Sequence, residues 1–308
     1  MRPTRATRTA RPACCVPAGH IPAGQIVDAP PLLRYWHLAS LDAPTVAAAW
    51  TLAFAWAASV PLPAWVPILL ALAAWAVYIG DRLLDAHSGL RTAQCSNLRL
   101  RHRFHWRHRL FFIPAAVAAA CAAAFIVFSQ MPVAAREKNS LLAAAALVYF
   151  TGVHSRREGS SLTAVRRATF VSKEMLVGLL FTAACALPAL SRAASQPSSP
   201  LWPLSIETIF FALLAWLNCH AIEHWESRGR SRSTVWRPAL ALALIGFLVS
   251  AILSTSHARP AALLLAGAIS AFLLLLLDRQ RSRLTPLALR VTADLVLLTP
   301  IPLFLFAR

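Results

Sequence analysis

Long apolar blocks broken by short arginine-rich stretches constrain this chain more than any other feature. A helix that crosses a bilayer needs roughly 20 mostly apolar residues, because the hydrocarbon offers no water to its backbone N–H and C=O groups. Nine blocks approach that length: residues 43–60, 62–80, 110–130, 139–154, 174–190, 203–222, 237–254, 260–277 and 288–306. The fourth and fifth are the weakest, and the apolar core of the fourth runs only from Leu141 to Val153. Pro44, Pro188, Pro203, Pro238, Pro260 and Pro286 lie at or near block ends, where a missing N–H costs a helix least. Charged residues make up 14% of the 308, against roughly a quarter in a soluble domain, which excludes soluble, disordered and fibrous classes. The fold class that follows is all-α: a polytopic membrane protein of nine transmembrane helices.

The basic residues set the orientation. With the N-terminus in the cytosol, 25 of the 30 Lys and Arg residues fall in the tail or in cytosolic connections, as the positive-inside rule requires. The net charge of +18 therefore faces anionic lipid head groups or a phosphorylated substrate rather than nucleic acid. Residues 1–40 read as a basic, disordered cytosolic tail without a secretory signal, and residues 41–308 as the membrane domain. The six cysteines form no CxxC pair, so neither a disulfide framework nor a structural zinc site is expected. High Ala and Arg content points to a GC-rich bacterial genome and hence to the inner membrane.

Four of the 12 acidic residues sit at the cytosolic ends of two blocks. Asp81 and Asp85 are i,i+4 after the second; Glu223 and Glu226 are i,i+3 after the sixth. Both spacings put carboxylates side by side on one helix face, where they repel unless a cation lies between them. Hard Mg²⁺ takes carboxylate oxygens together with substrate phosphates. The competing expectation is that each acid pairs with an adjacent arginine, Arg82 or Arg228.

This arrangement resembles the UbiA superfamily of intramembrane prenyltransferases over roughly residues 32–308. Members have nine helices, a cytosolic N-terminus, and Asp-rich motifs (NDxxDxxxD for the first) ending the second and sixth helices. Asp81 and Asp85 match the second and third positions of the first motif, with Val77 in place of its Asn. Asn218, Glu223 and Glu226 stand roughly where the second motif has Asp. The resemblance implies a central cavity open to the cytosol and Mg²⁺-dependent transfer of a prenyl group from a prenyl diphosphate to an unknown apolar acceptor. Asp81, Asp85, Glu223 and Glu226 would be the metal-binding and catalytic acids. Lys173, Arg156 and Arg157, with Asn218, would contact the substrate. A lipid-binding or structural relative without catalysis is the alternative.

Three further patterns are open. In Arg99–Arg109, His102, His105 and His108 would lie along one side of a helix, for head-group binding, a lid or a metal. His220-Ala221-Ile222-Glu223-His224 fits the HxxEH pattern of inverted zinc peptidases, with Asp278 or Asp294 as third ligand by default. Arg290 and Asp294, i,i+4, are expected to pair inside the bundle.

Overall fold

A computed structural model describes residues 27–91, 100–155, 173–196, 200–227 and 234–306. Every extended element among them is helical. The chain runs through α1 (Pro31–Leu38), α2 (Asp42–Ala57), α3 (Trp65–Arg91), α4 (Leu100–Arg107), α5 (Arg109–Gln130), α6 (Val133–Ser155), α7 (Lys173–Ala193), α8 (Leu201–Ser227), α9 (Trp236–Leu253), α10 (Ala258–Gln280) and α11 (Pro286–Leu295). Seven segments, belonging to α3, α5, α7, α8, α9, α10 and α11, are each long and apolar enough to cross a membrane. The pair α1–α2, bent by 87°, makes an eighth when taken as one broken span. Among the described residues α6 falls short of that standard. Charged residues open it, and its apolar core stays as short as the sequence shows.

The 87° bend has a local cause. Ser40 takes φ 61°, Ser40 N–H bonds to His37 O at 3.0 Å, and Leu41 N–H bonds to Trp36 O at 3.0 Å. This is the left-handed termination that satisfies the last carbonyls of a helix, made here by serine where glycine is commoner. The end of α2 repeats it: Ser59 has φ 56°, and the N–H groups of Ser59 and Val60 reach Trp56 O and Ala55 O. Both strained serines are tied elsewhere, Ser40 Oγ to His105 Nε2 at 3.0 Å and Ser59 Oγ to Arg259 at 2.9 Å. α1 thus lies inside the stretch assigned from the sequence to the disordered tail. The strand-like residue before it, Val27, bridges to Leu284 just ahead of α11.

The centre is filled. Trp50 of α2 stacks on Phe211 of α8 at 3.8 Å, and Phe54 meets the same ring edge-on. Trp50 Nε1–H donates to Leu297 O at 2.8 Å. That carbonyl is available because α11 tightens there into the 3₁₀ turn Val296–Leu298, ahead of Pro300 and Pro302. Ser270 donates to Val296 O at 2.6 Å in the same region. Small residues bring helices close: a Cβ on Gly178 of α7 would lie 2.8 Å from the Trp216 backbone nitrogen of α8.

Candidate functional site

Polar side chains gather at one end of the bundle, where α3, α8 and α10 end and α2, α5 and α11 begin. On α3, Asp81 and Asp85 are half-buried. Arg82, one residue on, turns inward and is 2% exposed. It donates to His37 O at 2.9 Å and lies 3.4 Å from Asp42 Oδ2. The arginine expected to neutralise its sequence neighbours therefore serves the α1–α2 corner.

On α8, Glu226 accepts from Arg101 of α4 at 3.0 Å and from Arg290 of α11 at 2.9 Å, both on Oε1. Glu223 is exposed. Asn218 is buried and donates to Asp294 at 3.4 Å. Arg290, expected to pair with Asp294 along its own helix, bonds instead to Glu226 across the interface. The helix α4 joins the two acidic ends: Arg101 holds Glu226, while the next residue, His102, brings Nδ1 to 4.0 Å from Asp85. Lys173 is exposed at the start of α7. Arg156, Arg157 and Arg228 lie outside the described residues.

The histidine row of α4 turns into the protein instead of covering it. His102 and His105 are buried, and His108 is exposed. His105 Nδ1 faces Arg101 O at 2.9 Å and so carries the proton, which leaves Nε2 to accept from Ser40. Burial pushes both rings down to about 4. Nearby Arg101 adds to this for His102, and Arg82 for His105. Both rings are therefore neutral packing groups at pH 7.

The HxxEH residues assemble no comparable centre. His220 stacks on Trp216 with rings 5.5 Å apart, and the His220 and His224 rings lie 6.3 Å apart. Asp278 is taken by Trp225 Nε1–H at 2.9 Å and by Arg281 at 3.2 Å. Asp294 belongs to another cluster, with His37 and Asp42. Sequence reasoning missed these two partners. His37 sits in the segment taken as tail, and Asp42 reads as an ordinary polar residue ahead of a span.

A shallow recess of only about 10 Å³ lies beside the α8–α11 junction, lined by Ile222, Trp225, Glu226, Pro286, Leu289 and Arg290. It is far smaller than the roughly 300–1,000 Å³ of a pocket for a drug-sized ligand, with room for little more than one water. Comparison of the chain with protein-family models, with curated proteins and with solved structures finds no match.

Proposed function

We propose that this protein is a UbiA-like enzyme of the bacterial inner membrane, which transfers a prenyl group from a prenyl diphosphate to an apolar acceptor. The observation that carries the reading is the junction made by α4. Its consecutive residues Arg101 and His102 stand against Glu226 and Asp85, so the acidic ends of α3 and α8 share one neighbour.

The topology of the proposal is nine crossings with this polar end in the cytosol. Arg192, near the end of α7, donates to Pro61 O, and Arg259 at the start of α10 meets Ser59, which marks the opposite end of the bundle. α5 leaves the polar end, and α7 reaches Arg192 on the far side. In this topology the chain between them crosses back as α6, whose 23 residues are long enough at 1.5 Å each. The excess of arginine at the polar end makes it cytosolic.

The donors present fit Mg²⁺ in part. Asp81 and Asp85 are half-buried carboxylates on one helix face and are the residues that would hold it. Glu226 Oε1 is committed to two arginines, so in this proposal Glu226 positions cations and binds no metal itself. When bound, Mg²⁺ would offset the charge of the diphosphate and favour its departure. Arg290 is suited to a phosphate oxygen: it lines the recess, and its Nε–H has no partner. The C1–O bond of the prenyl diphosphate breaks with its electron pair leaving on oxygen. The allylic carbon bonds to the acceptor, which gives up a proton.

The test is incubation of the full-length protein in lipid nanodiscs with labelled farnesyl diphosphate, Mg²⁺ and membrane lipid extract, followed by mass spectrometry. Label in a new apolar product, lost in Asp81→Asn, is the expected result. Val77 at the Asn position and the double arginine hold on Glu226 favour a second reading, a lipid-binding or structural relative. On that reading diphosphate binds without turnover or not at all.

A further inference from the structure

The strongest feature outside the proposed diphosphate site is the buried trio His37, Asp42 and Asp294. Their ligand atoms all lie within 4.8 Å of one another. His37 Nδ1 is 2.7 Å from Asp42 Oδ2 and 3.7 Å from Asp294 Oδ2. The imidazole is 1% exposed; Nδ1 faces the Asp42 carboxylate, while Nε2 has no hydrogen-bond partner. A buried polar atom without a partner costs about 1–3 kcal/mol, so this ring requires an explanation. Asn218 adds a second orphan. It is 4% exposed, its Nδ2 contacts Asp294, and its Oδ1 is unpartnered.

The charges are as unusual as the hydrogen bonds. Two carboxylates converge in a water-poor region where each normally needs its own cation. Arg82 serves Asp42. Asp294 Oδ2 lies 3.7 Å from His37 Nδ1, and Arg290, a turn away on α11, bonds to Glu226. A divalent cation among the three would offset both acids and give the unpartnered Asn218 Oδ1 a ligand position.

We propose that His37 Nδ1, Asp42 and Asp294 form a divalent transition-metal site, suited to Zn²⁺, which ties the α1–α2 corner to α11. Zinc binds imidazole nitrogen and carboxylate oxygen at about 2.0–2.2 Å in tetrahedral geometry, which sets ligand atoms about 3.3–3.6 Å apart. The 3.7 Å between His37 Nδ1 and Asp294 Oδ2 is close to that value, the 2.7 Å to Asp42 Oδ2 would open by about 0.6 Å on binding, and Asn218 Oδ1 or a water completes four ligands. Mg²⁺ is disfavoured, since it wants near-octahedral oxygen and avoids imidazole. Arg82 acts from outside, fixing Asp42 and the His37 carbonyl, as partners behind metal ligands commonly do. The site is independent of the prenyl-transfer reading, since it uses neither Asp81 nor Asp85.

The test uses tag-free, full-length protein in detergent, stripped with chelator and titrated with Zn²⁺, and with Co²⁺ as a spectroscopic probe. One tightly bound ion per chain is expected, with the visible bands of four-coordinate Co²⁺. His37→Ala and Asp294→Asn should each weaken binding by at least about 100-fold, since even an outer-shell partner is worth 10- to 100-fold. His220→Ala and Asp85→Asn should retain the ion, which separates this site from HxxEH and from the diphosphate site. Should His37→Ala fail to fold, Asn218→Ala supplies the second variant, with weaker binding and an altered Co²⁺ spectrum expected. Wild-type protein that binds neither metal stoichiometrically overturns the proposal, and so does an ion lost in His220→Ala and kept in His37→Ala. Either outcome leaves two carboxylates sharing a proton as the account of the cluster.

Discussion

Glu226, at the end of α8, accepts a hydrogen bond from Arg101 of α4 at 3.0 Å. Arg290 of α11 reaches the same carboxylate oxygen at 2.9 Å. One acid therefore holds together three elements far apart in sequence, and it does so beside the recess whose wall it shares with Arg290.

Arg101→Ala removes the link between α4 and α8 while Arg290 still neutralises Glu226. The expected loss is about 1–3 kcal/mol, the range for a buried hydrogen bond to a charged group. It should appear as a lower unfolding temperature in detergent. Arg290→Ala should cost more, because Arg290 also offsets the buried carboxylates of Asp294 and Asp42. An Arg101→Ala protein as stable as wild type would show that α4 is held by its histidines alone.

The two buried histidines of α4 make stability depend on pH. Each ring takes a proton near pH 6.5 when unfolded and only near 4 when folded. The unfolded chain therefore binds more protons between those values, and stability rises with pH there. The contribution is complete above pH 6.5 and is lost as pH falls from 6.5 towards 4. Thermal unfolding of detergent-solubilised protein between pH 7.5 and 4.5 should show that decline, and His105→Gln should shallow it. A flat profile would mean the rings are solvated.

Gly178→Ala should destabilise the α7–α8 contact by about 1–3 kcal/mol, the usual cost of overpacking. The added carbon would meet Trp216 N at 2.8 Å and Trp216 Cα at 3.1 Å, backbone atoms that cannot swing aside. Leu179→Ala, one residue on at an exposed position, should change little. Unfolding temperatures of the two variants decide the point, and equal effects would contradict close packing at Gly178.

Single cysteines introduced into a cysteine-free variant test the topology. Positions near residue 105 and near residue 230 should react with a membrane-impermeant maleimide only from the cytosolic side, and positions near Ser195 only from the other. Labelling of 105 and 195 from the same side would remove a crossing and break the nine-span arrangement.

Much of the helical layout is legible in the sequence because a bilayer imposes one length and one composition on each span. Seven blocks reappear as single helices or helix segments of that kind. The first becomes one only with the bent helix before it, since α2 alone has 16 residues. The fourth shows its weakness in both sequence and structure. The polar site is legible only in part. Asp81, Asp85 and Glu226 announce themselves as acids at span ends. What each one touches depends on packing that periodicity does not encode. Arg82 and Arg290 choose partners across the bundle, at Asp42 and Glu226, over the neighbours their spacing offers. His37 was hidden for a related reason: its role comes from a bend that folds a short polar helix back onto the first span.

The central claim is that the junction of α3, α4 and α8 binds a prenyl diphosphate through Asp81 and Asp85. Its most direct test is equilibrium binding of radiolabelled farnesyl diphosphate to the full-length protein in nanodiscs, titrated with Mg²⁺. The account predicts saturable binding that requires Mg²⁺ and weakens by at least about tenfold in Asp85→Asn, a loss of roughly 1.4 kcal/mol. Folded wild-type protein that binds geranyl, farnesyl and longer diphosphates no better with Mg²⁺ than without it would contradict the claim.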